Sequence, residues 1–108
     1  MRQANIYFQD KLAGVLTENE DGYKFEYKNE YLSSSNPQPI SLTMPLEKVI
    51  FKSDILFPFF DGLIPEGWLL DIAQKNWKIK NNDRMSLLLT CCKDCIGAVS
   101  VIPINDEL

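Results

Sequence analysis

Tyr23-Lys24-Phe25-Glu26-Tyr27 alternates strictly, aromatic against charged. Successive side chains of an extended chain point to opposite faces, so this run reads as a strand with one face for a core and one for water. Such a strand needs neighbours to pair its backbone groups and a cover for its aromatic face. The preceding sequence supplies the neighbours. Asn5 to Phe8 and Leu12 to Leu16 are short apolar stretches separated by the polar turn Gln9-Asp10-Lys11, and Glu20-Asp21-Gly22 makes a second turn before Tyr23. Three antiparallel strands in a meander are expected.

Ser33-Ser34-Ser35-Asn36-Pro37-Gln38-Pro39 is loop by composition. Ile40, Leu42 and Met44 then alternate with Ser41 and Thr43, which predicts another strand, and Val49-Ile50-Phe51 predicts a further short one. From Ser53 the pattern turns helical. Pro58 suits the first turn of a short helix and Gly62 its end, and Pro65 can open the next helix in the same way. Asn81, Asn82 and Asp83 supply a cap for a third, in which Met85, Leu88, Leu89 and Cys92 keep the i, i+3, i+4, i+7 rhythm. After Gly97, Ala98 to Ile102 reads as a final strand. The expected fold is α+β, a small antiparallel β-sheet meander with about three short helices packed on it. One domain over residues 1–108 is expected, because no repeat or long linker divides the chain.

Composition narrows the function classes. At 45% hydrophobic and 24% charged, the 108 residues suit an ordinary soluble domain. No apolar run approaches the roughly 18 residues needed to span a bilayer, and the N-terminus lacks a secretory h-region, so a cytoplasmic protein without membrane contact is expected. The net charge of −4 argues against a chain that neutralises phosphates, and no direct nucleic-acid contact is expected. Lys75, Lys78, Lys80 and Arg84 form a local basic stretch, read as a solvated helix end and loop. Cys91, Cys92 and Cys95, without a single histidine, cannot complete a four-ligand zinc site of the usual kinds. Cys92-Lys93-Asp94-Cys95 has redox-motif spacing but falls at a predicted helix end, so small packing residues are expected there rather than a metal or redox centre. Without histidine there is no imidazole base, and neither GxGxxG nor GxxxxGK[ST] occurs. Neither catalysis by this chain alone nor a cofactor is expected.

One residue resists a structural assignment. On a helical wheel with Leu69 at 0°, Asn76 falls near about −20°, Ala73 near 40°, Ile72 near −60° and Trp77 near 80°, which is one apolar stripe. Trp68 falls at about −100°, beside Lys75 at about −120° and Asp71 at about −160°, and so projects towards the polar side. Two readings stand. Trp68 packs in the first helical turn against Ile64-Pro65 or a neighbouring loop, or it is an exposed anchor for another protein, a role in which tryptophan leads. Ile64, Glu66, Asp71 and Lys75 neighbour it and would form the rim of such a contact.

With these residues in hand, FPFFDGLIPEGWLLDIA followed by NNDRMSLLLTCCKDCIGAVSV resembles the N-terminal subdomain 1 of the HipA family of serine/threonine kinases. Pro58-Phe59-Phe60, Leu63-Ile64-Pro65-Glu66-Gly67, Asn82-Asp83, Leu88-Leu89, Asp94-Cys95 and Gly97-Ala98-Val99 match that family's motifs in order. The similarity runs over nearly the whole chain. Cys92 departs from it, standing where the family commonly has glycine two positions before Asp-Cys. None of the family's catalytic residues has a counterpart up to Leu108, so none is carried over. As a free-standing chain it is similar to the HipS antitoxins of three-component HipBST toxin–antitoxin systems, whose kinase, HipT, lacks this subdomain. The resemblance implies an antitoxin that binds and inhibits a HipT-like serine/threonine kinase, with Gly67-Trp68 fitting the contact. A non-inhibitory assembly role in a complex with a HipB-like DNA-binding protein is the alternative.

Overall fold

The alternation at Tyr23–Tyr27 is realised as a strand paired on both sides within an antiparallel sheet. The computed structural model describes residues 2–64, 84–91 and 98–104. Its strands are β1 (Arg2–Phe8), β2 (Lys11–Asn19), β3 (Gly22–Tyr27), β4 (Ile50–Ser53) and β5 (Val99–Pro103). They form one five-stranded sheet in the order β4-β3-β2-β1-β5, every neighbouring pair antiparallel. Among the described residues three short helices accompany them: α1 (Asn29–Leu32), α2 (Pro58–Asp61) and α3 (Arg84–Cys91). The α+β expectation holds. No described helix is long and apolar enough to cross a membrane.

Register explains which face is the core. Phe51, Phe25, Leu16 and Ala4 stand in one row across β4-β3-β2-β1, and Tyr27, Gly14, Ile6 and Val101 stand in the next across β3-β2-β1-β5. All eight are buried. The intervening row, Ile50, Glu26, Val15 and Asn5, points to the other face and is half-buried or exposed. On the core side Phe25 meets the α2 ring of Phe60 at 5.7 Å between centroids, and Tyr27 stacks on Tyr31 of α1 at 6.1 Å. Four-residue helices have no stability of their own, so these aromatic contacts are what hold α1 and α2 in place.

Two irregularities shape the sheet. Ile6 pairs with Gly14 and Tyr7 with Leu12, which leaves Ala13 as a bulge on β2. The freed Ala13 carbonyl accepts a hydrogen bond from the Lys28 N–H at 2.8 Å and so fixes the chain entering α1. Gly14 is required by close approach, since a Cβ there would run into the Glu26 carbonyl and the Phe25 ring. Gly22, at φ +133°, closes the β2–β3 turn in a region that favours glycine.

Several sequence-based expectations hold. Gly62 caps α2 with its N–H donating to the Pro58 carbonyl at 2.9 Å, and Pro58 occupies the first turn. In α3, Met85, Leu88 and Leu89 are buried as the rhythm predicts, and Leu87 is buried with them. The cap at Asn81-Asn82-Asp83, the helix opened by Pro65, and Trp77, Cys92 and Cys95 lie outside the described residues.

One expectation fails. Residues 40–44 are turns, not a strand. Ile40 and Met44 are buried while Leu42 is 98% exposed. The backbone here bonds to tyrosine hydroxyls instead of to a sheet neighbour. Tyr27 Oη accepts from the Ile40 N–H at 3.1 Å and donates to the Met44 carbonyl at 2.5 Å. Tyr31 Oη holds Gln38 in the same two-sided way, donating to its carbonyl at 2.5 Å and accepting from its N–H at 3.2 Å. The apolar residue at every second position, a sign of strand elsewhere, comes here from two buried anchors, Ile40 and Met44, on either side of a projecting Leu42.

Candidate functional site

The segment that carries the proposed anchor is framed by fixed points on both sides. On its N-terminal side the chain leaves α2 in a continuing turn, with the Leu63 N–H donating to the Phe60 carbonyl at 3.0 Å and the Ile64 N–H to the Asp61 carbonyl at 3.2 Å. Ile64 is 4% exposed and belongs to the core. It is therefore a foundation for the segment beyond it rather than a rim residue offered to a partner.

On its C-terminal side the chain re-enters at Arg84, whose Nε meets Asp61 Oδ1 at 2.5 Å. That ion pair joins the first turn of α3 to the last residue of α2. Two positions on, Ser86 Oγ accepts from Arg2 Nη1 at 2.5 Å, while Arg2 also grips Glu18 through Nε at 2.6 Å and Nη2 at 2.9 Å. Tyr23 Oη donates to the same Glu18 carboxylate at 3.2 Å. So β1, β2, β3 and α3 are tied by one polar cluster, and α3 is tied to α2 by another. Both clusters are partly exposed, and each pair contributes about 1 kcal/mol or less. Their role is geometric: they help to fix α2, which leads to Ile64, and α3, which begins at Arg84. The basic stretch read from sequence thus has a structural use for Arg84.

Trp68, Glu66, Gly67, Asp71 and Lys75 lie outside the described residues, between those two fixed ends.

The described surface offers little for catalysis. A cleft of about 280 Å³ is lined by Val15, Glu26, Tyr27, Lys28, Asn29 and Glu30, and another of about 440 Å³ by the β2–β3 turn, the start of β3 and the end of β4. Both are lined mainly by charged and polar side chains. Among the described residues, no group of three His, Cys, Asp or Glu side chains could hold a metal ion. The hydroxyl of Tyr27 has its pKa raised, first by burial, with its Coulombic interaction with Tyr31 adding to the rise and the Ile40 N–H opposing it. It holds the loop over residues 40–44.

A feature that strand patterning concealed is Leu42 itself, projecting from that loop. Its signal in the sequence is the absence of any charged residue between Glu30 and Glu47, the longest such run in the chain.

Comparison with known proteins gives this geometry a context. The family model described as "HipA N-terminal domain" matches residues 4–102. A protein of Haemophilus influenzae is 33% identical over 101 residues, covering 94% of this chain and 92% of that protein. The putative kinase Y4mE of Sinorhizobium fredii is 25% identical over 108 residues, covering 99% of this chain but only 26% of its own length. Among solved structures, the N-terminal domain of HipA toxin superposes with a TM-score of 0.77 at 29% identity, covering 100% of this chain and 96% of that one.

Proposed function

Because this chain belongs to the HipA N-terminal domain family, we propose that it is an antitoxin that binds a HipT-like serine/threonine kinase in trans and suppresses it. The observation that carries this reading is the pair of contexts in which the domain occurs. In the putative kinase Y4mE the matched region is about a quarter of the protein, and in the Haemophilus influenzae relative it is nearly all of it. A domain that accompanies a kinase in one chain and stands almost alone in another is suited to meet a separate kinase through the surface it would otherwise use within one polypeptide.

Trp68 is the proposed contact, with Glu66, Gly67, Asp71 and Lys75 around it. Large aromatic anchors dominate binding energy, and truncating one typically costs ~2 kcal/mol or more. The anchored ends at Ile64 and Arg84 favour this role, since binding elements mounted on fixed supports lose less entropy on docking. An indole inserted at the kinase cleft would obstruct nucleotide, substrate or lobe closure. Inhibition needs no catalytic group on this chain, which is the family's N-terminal domain rather than its kinase domain.

The test is to co-express the chain with a HipT-like kinase that lacks this domain, then purify the kinase and measure autophosphorylation with and without the chain. Co-purification with loss of kinase activity is the expected result. Binding without any loss of activity would instead establish the assembly role, with a HipB-like DNA-binding protein as the third component. No association at all would refute the proposal.

A further inference from the structure

We infer that the loop Ile40–Pro45 is a second docking element, in which Leu42 enters an apolar pocket on the partner protein. Three independent observations meet there.

Leu42 is 98% exposed although its loop is well anchored. Ile40 and Met44 are buried on either side of it, and Tyr27 Oη bonds the backbone of both. The Met44 N–H donates to the Ser41 carbonyl at 3.1 Å, and the Thr43 N–H to Ser41 Oγ at 3.2 Å. Pro39 and Pro45 restrict the chain just outside. An apolar side chain on a backbone fixed in this way needs little further ordering to bind, which is the condition for an efficient anchor.

The second observation is electrostatic. In a chain with 24% charged residues, none falls between Glu30 and Glu47. The centres of protein interfaces are depleted of charge relative to the rim, and the sequence on both sides of Leu42 shares that depletion. Its sequence neighbours are uncharged, and the hydroxyls of Ser41 and Thr43 are hydrogen-bonded to each other at 3.0 Å.

The third concerns what could receive Leu42. The described clefts of this chain are lined mainly by charged and polar residues, such as Glu26, Lys28 and Glu30 in one and Asp21, Lys24 and Lys52 in another. Neither of these two clefts offers an apolar receptor in a second copy, and the contact points to a different protein. Resting on the proposed function, the occupant is the same kinase. Tyr27 and Tyr31, which hold the loop, pack on the sheet face that α2 also covers, so this loop and the chain leading to Trp68 arise from one side of the molecule.

The test compares Leu42→Ala and Leu42→Asp with the wild-type chain in titrations against a HipT-like kinase, with Trp68→Ala measured in parallel. Ile55→Ala is the control, since Ile55 is also exposed, at 68%, but adjoins Asp54. Leu42→Ala is expected to raise Kd about tenfold, and Leu42→Asp roughly a hundredfold by placing a charge in an apolar contact. Neither variant should shift the denaturation midpoint, and Ile55→Ala should bind as the wild type does. Wild-type Kd values for both Leu42 variants would overturn this inference while leaving the proposed function intact. Failure of the wild-type chain to bind the kinase would overturn both. A Leu42-dependent dimer of this chain in sedimentation, with kinase binding unaffected, would assign the loop to self-association and overturn the inference equally.

Discussion

Single residues carry more of this fold than their neighbours in sequence suggest. The hydroxyl of Tyr27 serves two backbone groups, an N–H at Ile40 and a carbonyl at Met44, inside the core. Tyr27→Phe leaves both without that partner and should lower stability by about 1–3 kcal/mol in urea titrations near neutral pH. The same group sets an alkaline limit. Burial raises its folded pKa above the ordinary value of 10.0, so once pH passes 10 the unfolded chain loses its proton before the folded chain does. The stability tied to the neutral hydroxyl is whole below pH 10 and is lost as pH climbs through the raised pKa. Denaturation midpoints measured from pH 9 to 12 should fall for the wild type and fall less for Tyr27→Phe. Gly14 is constrained differently. Gly14→Ala should cost about 1–3 kcal/mol because the methyl group meets the Glu26 carbonyl and the Phe25 ring.

At the scale of elements, α2 is the piece that joins sheet to site. Phe60 is 0% exposed, and its ring meets those of Phe25, Phe57 and Phe59. Phe60→Ala should destabilise the fold by about 3–5 kcal/mol, whereas Phe60→Leu should cost about 1.5 kcal/mol or less. The Asp61–Arg84 pair, at 41% and 32% side-chain exposure, should behave otherwise. Asp61→Asn is expected to cost about 0.2–1 kcal/mol in global stability and to lose even that effect in high salt. These elements also mark how far the sequence can be read. The strand at Tyr23–Tyr27 and the helix between Pro58 and Gly62 are legible because period and punctuation are local. The alternation in Ile40-Ser41-Leu42-Thr43-Met44 misleads because what fixes that segment is a hydroxyl 13 residues from Ile40 and 17 from Met44. Arg84 reads as part of a solvated basic stretch for the same reason, its partner Asp61 lying 23 residues upstream.

At the scale of the whole molecule, a five-stranded sheet holds a set of short helices on one face and fixes both ends of the segment that carries Trp68. Family membership rests on motifs spread over residues 4–102, so it is legible without any tertiary contact. The exposure of Leu42 is not, because the residue falls in step with two buried neighbours. The most direct measurement titrates a HipT-like kinase with the wild-type chain and with Trp68→Ala, after far-UV circular dichroism shows both to be folded, and reads autophosphorylation. The wild-type chain should silence the kinase at stoichiometric concentration, and Trp68→Ala should need roughly thirtyfold more, the equivalent of about 2 kcal/mol. Equal silencing by the folded Trp68→Ala chain would contradict the proposal that this indole is the inhibitory contact.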